Sequence, residues 1–366
     1  NQFYLLFIIL LLWAKALHAR EQISRNMFMV TNLNTENGLS SSRVYSIVEA
    51  EDGAMWISTK RGVDRYNGQV VTNYTLATEM QYRDASGRTI KLLQDCNRQL
   101  YAYDNKGKIY IYNKDQDAFI LKYNLLNLLG RSTVLNELLV DSKGNFWLAL
   151  DHGLYWLQAS VDEKEISQEK AKGKYILKNI YINHIQFVGQ KLLVGTSKDV
   201  YQYSLVSLKM EKKLNGFSVV SSYHDRVAHQ IWLGTFHQGV LVLDDRTWNP
   251  VSMVDFGSLL KIPQIPVRSI IPYKNDALLM AVDGAGIYAF DRVSKQTHLI
   301  LDTEGRPGSV LKGNGLYTLC CDRFCDLWVG SFSGGVDLAI PMERSLEYIT
   351  HGYLNSQSLM DNSVND

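Results

Sequence analysis

Residues 37–74 read NGLSSSRVYSIVEAEDGAMWISTKRGVDRYNGQVVTNY, and they decide the fold of this chain. An almost continuous apolar run from Val44 to Glu49 suits a strand that is buried on both faces. Asp52-Gly53 and Asn67-Gly68 predict tight hairpin turns, because Asp, Asn and Gly tolerate left-handed backbone conformations. Three further strands are predicted at Met55–Thr59, Val63–Tyr66 and Val70–Tyr74. The stretch therefore predicts one four-stranded antiparallel meander.

A single sheet of this kind cannot bury both of its faces, so the pattern is expected to recur along the chain. With Trp56 as the anchor, a bulky residue followed by a turn and an apolar strand recurs six more times. The equivalent anchors are Tyr101, Trp147, Leu193, Trp232, Leu279 and Trp328. A glycine follows six or seven residues after each anchor except the fourth, where Asp199 stands instead. The steps of 39 to 49 residues predict an all-β fold, a seven-bladed β-propeller of four-stranded antiparallel blades.

The composition agrees with a large globular fold and excludes some partners. A chain of 366 residues with 46% hydrophobic and 11% aromatic residues can bury an extensive core. Its formal net charge of +1 gives no electrostatic reason to expect nucleic acid or an anionic membrane as a partner. We therefore expect no contact between this chain and nucleic acid.

The amino-terminal residues have the features of an export signal. Phe3 to Trp13 is an unbroken apolar run, and the small residues Ala16 and Ala19 follow it. Such a run is too short to span a bilayer comfortably, and it predicts a signal peptide over residues 1–19. The protein is therefore expected to be exported.

The predicted propeller occupies residues 20–355. Either Met27 to Leu33 or Leu346 to Thr350 is expected to complete a blade and close the ring. Residues 356–366 resemble the start of the first blade and predict the beginning of a further, truncated repeat. The chain is therefore interpreted as the front of a longer protein.

Cysteines offer no metal site. Cys320, Cys321 and Cys325 crowd one predicted hairpin of the seventh blade, and Cys96 lies far away in the second. No histidine stands at metal-ligand spacing from these three, so we predict no metal and no cofactor. A local disulfide and a set of buried thiols both remain open.

Catalytic residues are not predicted either. Aspartates flank several anchors and are interpreted as turn formers: Asp52, Asp141 and Asp322 before the anchor, Asp104, Asp151 and Asp283 after it. The scattered His184, His224 and His229 show no partner, and no Gly-x-Ser-x-Gly or Walker-type loop exists. We expect no catalytic activity from this chain, although a propeller enzyme can assemble its site from distant loops.

A binding site is expected on one face of the ring. In a propeller, all turns that join the second and third strands emerge on the same face, around the central channel. Here these turns mix cations, histidines and phenylalanines, which suits a sugar that carries carboxylate or sulfate groups. The candidate ligand-binding residues are Lys60, Arg61, Lys106, His152, Lys198, Phe236, His237, Asp283 and Phe332.

Residues 38–68, GLSSSRVYSIVEAEDGAMWISTKRGVDRYNG, also resemble the two-component regulator propeller repeat. That family forms the sensor half of hybrid histidine kinases, especially in gut Bacteroidetes that manage glycan use. The resemblance implies a periplasmic propeller that detects a glycan or oligosaccharide. It also implies a homodimeric full-length receptor, with its membrane attachment and histidine kinase in later segments. The alternatives are a secreted propeller glycoside hydrolase or polysaccharide lyase, and a protein-interaction scaffold.

Overall fold

The structure is a computed structural model, and it describes residues 28–76, 87–159, 172–251, 261–274, 276–305 and 310–342. In these ranges the chain forms seven antiparallel sheets, six of four strands and one of three. Helix is confined to a 3-10 turn, Thr35–Asn37, and to one short α-helix, α1 (Leu125–Leu129). The predicted all-β, seven-bladed propeller is confirmed.

The first strand, β1 (Phe28–Leu33), belongs to the last blade, and the first three blades then follow in chain order. Blade one contains β2 (Val44–Glu49), β3 (Met55–Thr59), β4 (Val63–Tyr66) and β5 (Val71–Tyr74). Blade two contains β6 (Ile90–Gln94), β7 (Leu100–Asp104), β8 (Lys108–Asn113) and β9 (Ala118–Asn124). Blade three contains β10 (Leu135–Val140), β11 (Phe146–Leu150), β12 (Gly153–Leu157) and β13 (Gly173–Lys178).

The remaining four blades repeat this order. Blade four contains β14 (Ile182–Val188), β15 (Lys191–Thr196), β16 (Asp199–Ser204) and β17 (Met210–Asn215). Blade five contains β18 (Val219–Asp225), β19 (Gln230–Thr235) and β20 (Val240–Asp244). Blade six contains β21 (Val267–Tyr273), β22 (Ala277–Val282), β23 (Gly286–Asp291) and β24 (Thr297–Leu301). Blade seven contains β25 (Leu316–Cys321), β26 (Leu327–Ser331) and β27 (Val336–Pro341), with β1 at its edge.

The core lies between the blades. In the part of the chain that the structure describes, seven clusters of buried apolar side chains fill the seven junctions between neighbouring blades. At the first junction the ring of Trp56 packs against Tyr112 and Phe119 of blade two, at centroid distances of 4.7 and 5.7 Å. Every residue of β3 is buried, because a neighbouring blade covers each face of the sheet. The continuous apolar runs in the sequence follow from this burial.

The first strand of each blade faces the central channel, and the first strands of neighbouring blades contact one another. Several of them carry a β-bulge near their start, for example between Val44 and Ser46. The side chain after the bulge reaches the next blade: Ser46 Oγ accepts a hydrogen bond from the Leu92 N–H at 2.7 Å. Ser269 Oγ accepts one from the Leu319 N–H at 3.3 Å. These bonds fix the relative position of neighbouring inner strands.

The recurring glycine allows the outermost, fourth strand of a blade to approach the start of the third strand closely. A Cβ atom on Gly62 would lie 2.6 Å from the carbonyl oxygen of Tyr74 in β5. At Gly335 the φ angle is +77°, and a Cβ atom would lie 2.4 Å from the carbonyl oxygen of Leu33 in β1. A side chain at either position would push the outer strand away.

The amino-terminal strand closes the ring. β1 pairs antiparallel with β27, from Phe28 opposite Pro341 to Leu33 opposite Val336. Asn32 Nδ2 on β1 donates to Asp337 Oδ1 at 2.8 Å, as Asn73 Nδ2 on β5 donates to Asp64 Oδ1 in blade one. β1 therefore takes the place of a fourth strand, and the first of the two predicted closures is the one observed. The alternative strand at 346–350 lies outside the described residues, as do the predicted signal peptide and the predicted repeat at 356–366.

Asp337 makes the stability of the folded protein depend on pH. Its side chain is fully buried in β27 and accepts hydrogen bonds from the Lys312 N–H and from Asn32. Burial raises the pKa of Asp337 to about 6 in spite of these bonds. The folded protein thus binds a proton between this value and the ordinary pKa of 3.8, where the unfolded chain does not. This contribution to the free energy of unfolding is full below the ordinary pKa, and about 3 kcal/mol of it is lost as the pH rises to 7.

We expect the variant Asp337→Asn to lack this dependence, because its amide does not titrate. Urea unfolding measures the free energy of unfolding of both proteins. From pH 4 to pH 7 the wild type should lose about 3 kcal/mol of stability relative to the variant. Asp64→Asn should shift in the same direction, since burial also raises the pKa of Asp64. A difference that is independent of pH would contradict the assignment.

Candidate functional site

The nine predicted binding residues all lie in turns between the second and third strands of their blades. Antiparallel strands alternate in direction, so these turns share a face with the beginnings of the first strands that line the channel. We call this the upper face. The lower face carries the turns between first and second strands and those between third and fourth strands. On the upper face, side chains of four blades contact one another along part of the channel mouth.

The constellation begins with an arginine stacked on an exposed ring. The guanidinium of Arg43 lies 3.8 Å from the ring centroid of Phe332. Phe332 packs against Tyr317, at the start of β25, with 6.0 Å between centroids. Tyr317 in turn lies 5.8 Å from Tyr45, at the start of β2. Four side chains from blades one and seven therefore meet at the mouth.

Arg268 extends the constellation to blades five and six. Its guanidinium lies between two rings, 5.3 Å from the centroid of Phe236 and 5.8 Å from that of Tyr317. Asp283 holds it there through a 3.1 Å ion pair with Nε. His237 packs edge-on to Phe236 at 4.7 Å. We call the joined side chains the aromatic arc: Arg43, Tyr45, Phe236, Arg268, Tyr317 and Phe332.

The aromatic arc offers both ring faces and cationic edges to a ligand. Phe236 and Phe332 keep 36% and 42% of their surface exposed, which is high for phenylalanine. Arg43 has no carboxylate partner among the described residues, and stacking on Phe332 leaves the N–H edges of its guanidinium available. Burial raises the pKa of Tyr45, although Arg43 opposes the rise, so its hydroxyl stays protonated and donates to the Arg88 carbonyl at 3.4 Å.

The remaining part of the mouth, on blades two to four, is more polar, and its exposed ring among the described residues is that of Tyr181, at 45%. Asn136 Nδ2 donates to the Ile182 carbonyl at 2.7 Å, and its Oδ1 accepts from the Tyr181 hydroxyl at 3.1 Å. Lys91 Nζ donates to the Asn136 carbonyl at 2.9 Å. Asn183 Nδ2 lies 3.5 Å from Ser218 Oγ. The mouth is therefore asymmetric, with an apolar and cationic side facing a side rich in amides.

The structure joins some predicted residues to this arc and separates others. Phe236, His237, Asp283 and Phe332 belong to it or contact it. The exposed turn of Lys60 and Arg61 lies beside it, because the Lys60 N–H donates to the Arg43 carbonyl at 3.1 Å. Lys106 and Lys198 are exposed on blades two and four, outside the aromatic arc.

His152 bonds within its own blade. Its Nδ1 lies 2.6 Å from Asp151 Oδ1, and its Nε2 lies 2.6 Å from the hydroxyl of Tyr175 on the outermost strand β13. Thr133 Oγ1 also donates to Asp151 Oδ1, at 2.8 Å. These bonds direct the imidazole of His152 towards the outer strand, so its position differs from that of the aromatic arc.

Four arc residues were missed by the sequence reasoning, which considered only the turns after the second strand. Arg43, Tyr45, Arg268 and Tyr317 lie before it, at the start of the first strand. A signal was present, because Tyr45, Asn136, Arg268 and Tyr317 each precede their blade anchor by eleven residues. Alignment of the repeats on the anchors would have placed Tyr45, Asn136, Arg268 and Tyr317 at one level of the channel, although not Arg43.

The prediction that the scattered histidines have no partner is wrong. His184 Nδ1 lies 2.6 Å from Glu137 Oε2 of blade three, and its Nε2 lies 2.6 Å from Ser222 Oγ of blade five. His224 and His229 both contact Asp245, at 3.0 and 3.4 Å. The partners come from other strands or other blades, so spacing in the sequence could not reveal them.

The turn aspartates occupy two different positions. Asp141 and Asp322 stand six residues before their anchors, accept N–H bonds within the turn, and accept a bond from the anchor indole at 3.2 and 3.0 Å. Asp52 stands only four residues before Trp56; it accepts the Ala54 N–H at 3.0 Å and pairs with Arg65. All three shape turns, as predicted, but Asp52 does not share the register of the other two.

The four cysteines form no disulfide in this structure. All four are thiols in this structure, and burial raises the pKa values of Cys320 and Cys321 to about 12. Both thiols are therefore protonated at neutral pH. No group of three or more His, Cys, Asp or Glu side chains within the described ranges is arranged to hold a metal ion. Nor do those ranges contain a helix that is long and apolar enough to cross a membrane.

The fold and the mouth together define a class of protein, a seven-bladed propeller whose upper face carries an asymmetric set of aromatic, cationic and amide side chains. Residues 38–61 match the family described as two component regulator propeller, which confirms the resemblance seen in the sequence. No curated protein matches the chain.

Solved structures share the fold at low identity. The extracellular domain of a protein described as a hybrid two component system, from B. thetaiotaomicron, is 18% identical over 86% of this chain, with a TM-score of 0.67. The extracellular domain of one described as a one component system, from the same organism, is 18% identical over 88%, with a TM-score of 0.66. This chain spans only 42% of each. A chain of the mitotic checkpoint complex reaches a TM-score of 0.60 at 9% identity over 87% of this chain and 94% of its own length, so such likeness shows the fold alone.

Proposed function

We propose that this chain is a ligand-sensing propeller of a two-component regulator, placed on the outer side of the cytoplasmic membrane, in the periplasm. The observation that carries the proposal is the aromatic arc, which crosses four blades at the channel mouth of a propeller that contains a two-component regulator repeat. Ligand sites in ring-shaped folds collect side chains from several repeats at the mouth of the ring.

The ligand that fits this mouth is an acidic glycan or oligosaccharide. The exposed rings of Phe236 and Phe332 provide surfaces on which the apolar face of a sugar ring can stack. The guanidinium of Arg43 provides paired N–H donors for a carboxylate or sulfate group. Asn136 and Asn183 on the opposite side offer amide groups to sugar hydroxyls.

The rest of the receptor completes the proposal. We place its membrane attachment and its histidine kinase in later segments of a longer, homodimeric protein that controls genes for glycan use. This chain spans only 42% of each of two similar extracellular domains, which supports a longer extracellular region in the proposed receptor. Signalling then requires that the glycan bind one arrangement of the receptor more tightly than another, because equal affinity for both shifts nothing.

Binding without turnover is the expected result for the purified chain. Thermal unfolding is measured with sulfated, carboxylated and neutral oligosaccharides, and the incubated sugars are then separated by chromatography. Acidic oligosaccharides should raise the melting temperature, since saturation at one hundred times the dissociation constant adds about 2.7 kcal/mol of stability. The sugars should be recovered intact. Phe332→Ala should abolish the shift, whereas Phe324→Ala, an exposed phenylalanine on the lower face, should retain it.

Other outcomes would select the rival functions. Cleavage of an oligosaccharide would favour a secreted glycoside hydrolase or polysaccharide lyase. Equal shifts in wild type and Phe332→Ala would remove the aromatic arc from the binding site. No shift with any sugar, together with capture of a protein partner on the upper face, would favour an interaction scaffold.

A further inference from the structure

A second concave site lies on the lower face, between blades one and two. It is a cavity of about 490 Å³, within the usual range for small-molecule sites. Its floor is apolar and aromatic, formed by Val48, Trp56, Leu100 and Tyr112. Its rim carries charged and amide side chains, among them Glu51, Asp52, Arg65, Arg98, Lys114 and Asp117. The nine predicted binding residues contribute nothing to it.

The aromatic floor is held rigidly. Trp56 packs against Tyr112 at 4.7 Å and against Tyr74 at 5.0 Å. Asp117 accepts hydrogen bonds from both of these tyrosine hydroxyls, and the two bonds hold the pKa of its carboxyl below the ordinary value. Asp117 is therefore ionised at neutral pH, and the phenol rings cannot rotate away from it without breaking a charge-assisted bond.

One wall of the cavity, the turn of residues 50–52, is held by hydrogen bonds from blade seven. Arg323, in the first turn of blade seven, donates through Nη2 to the carbonyl oxygens of Ala50 and Glu51 at 2.9 and 3.0 Å. Its backbone N–H donates to Glu49 Oε2 at 2.9 Å. The turn of residues 50–52 is thereby fixed over the cavity. Because it is fixed, the cavity is preorganised, and a ligand would not have to order this wall on binding.

The charges on the rim divide into satisfied and available groups. Arg65 pairs with Asp52 and lies over the indole of Trp56 at 5.6 Å. In the portion of the chain that the structure describes, the side chains of Arg98 and Lys114 have no carboxylate partner, although both line the cavity. Two cations thus face the same space as the carboxylates of Glu51 and Asp117. A ligand that pairs with both cations and also contacts these carboxylates must carry both an anionic group and hydrogen-bond donors.

We propose that this cavity is a second saccharide site, which binds a sugar acid of one or two rings. The carboxylate of the sugar pairs with Arg98 and Lys114, its hydroxyls donate to Glu51 and Asp117, and its ring lies on the aromatic floor. A ligand in this position contacts blades one and two together and stabilises their junction. The proposal is independent of the aromatic arc, because the two sites lie on opposite faces.

The test uses the whole chain and two matched pairs of sugars, D-galacturonate with D-galactose and D-glucuronate with D-glucose. Binding is followed by saturation-transfer NMR and by calorimetric titration. At least one uronate should bind saturably and more tightly than its uncharged counterpart. The double variant Arg98→Gln/Lys114→Gln should lose at least about tenfold in affinity for that uronate. Its melting temperature without sugar should match that of the wild type, because both side chains are exposed.

Two controls separate this site from the mouth. Arg226→Gln/Lys143→Gln removes one arginine and one lysine from other turns of the lower face, and it should bind the uronate as the wild type does. Arg43→Gln alters only the aromatic arc and should also leave uronate binding intact. Equal binding of charged and uncharged sugars would overturn the proposal. An equal loss in the control double variant, or a loss in Arg43→Gln alone, would do the same.

Discussion

Replacing His184 by alanine should lower the free energy of unfolding by about 2–3 kcal/mol, because it leaves the largely buried Glu137 carboxylate without its main partner. The imidazole links three blades at the channel, through Glu137 and Ser222 at 2.6 Å each. Glu137 Oε2 also accepts the Ile185 N–H at 2.9 Å. Burial alone would raise the pKa of Glu137, but His184 and, more weakly, Lys91 and this bond outweigh it and hold the pKa below its ordinary value. Without the imidazole, the carboxylate, whose side chain is 21% exposed, loses its main partner.

A double-mutant cycle separates the contact between Glu137 and His184 from the effect of lost packing. Glu137→Leu/His184→Leu should cost at least about 1 kcal/mol less than the sum of the two single variants, since no unpaired charge is left behind. Glu211→Gln breaks an exposed pair with Lys191 at 3.7 Å and should cost less than about 1 kcal/mol. Additive single effects in urea unfolding would show that Glu137 and His184 act separately.

The contact between Glu137 and His184 also makes the stability of the protein depend on pH in the acidic range. The folded pKa of Glu137 lies below its ordinary value of 4.5, so the pair stabilises the protein above that value. The stabilisation is lost as the pH falls through the folded pKa. This dependence is opposite in sign to that of Asp337, so the two are distinguished by their single variants.

Phe28→Ala should be the second strongly destabilising change, at about 3–5 kcal/mol. The Phe28 side chain is 2% exposed and packs against Tyr273 of blade six at 6.3 Å, within the core between blades six and seven. β1 pairs with the rest of the ring through β27, and Phe28 is the large side chain by which β1 packs into the core. Its removal leaves a cavity at the point where the propeller closes.

The neighbouring residue provides the control. Met29 belongs to the same strand, but its side chain points away from the core and is 43% exposed, so Met29→Ala should change stability by less than about 0.5 kcal/mol. Hydrogen exchange gives an independent measurement. In Phe28→Ala the amides of β27 should exchange faster, because weakening β1 turns β27 into an edge strand. Unchanged exchange in β27 would contradict the role of β1 in closing the ring.

The fold could be predicted because its determinants are local and repeated. The turns at Asp52-Gly53 and Asn67-Gly68 and the buried run of Met55–Thr59 each act within a few residues, and the anchors then multiply the signal along the chain. Closure was predicted only as a choice between two strands, since the sequence does not show which terminus reaches β27. The recurrent glycine was recognised, but the close approach of the outer strand that requires it was visible only in three dimensions.

The site could be predicted only in part, because its contacts join distant blades. The face and the phenylalanines Phe236 and Phe332 follow from the position of the turns in each repeat. The stacking of Arg43 on Phe332 joins the first and seventh blades, and no spacing rule relates them. For the same reason the pairing of His184 with Glu137 was missed. Lys60, Arg61 and Lys106 were predicted to bind the ligand because of their charge, but they lie outside the aromatic arc.

Calorimetric titration with a sulfated oligosaccharide and its desulfated counterpart tests the central claim, that the aromatic arc binds an acidic glycan. Three proteins are compared: wild type, Arg43→Gln, and the triple variant Lys60→Gln/Arg61→Gln/Lys106→Gln. Wild type should prefer the sulfated sugar, and Arg43→Gln should lose at least about tenfold in affinity for it, since a charge-assisted contact contributes about 1.5–3 kcal/mol. The triple variant should lose less, because those side chains only flank the mouth. Unchanged affinity in Arg43→Gln, or a larger loss in the triple variant, would contradict the account.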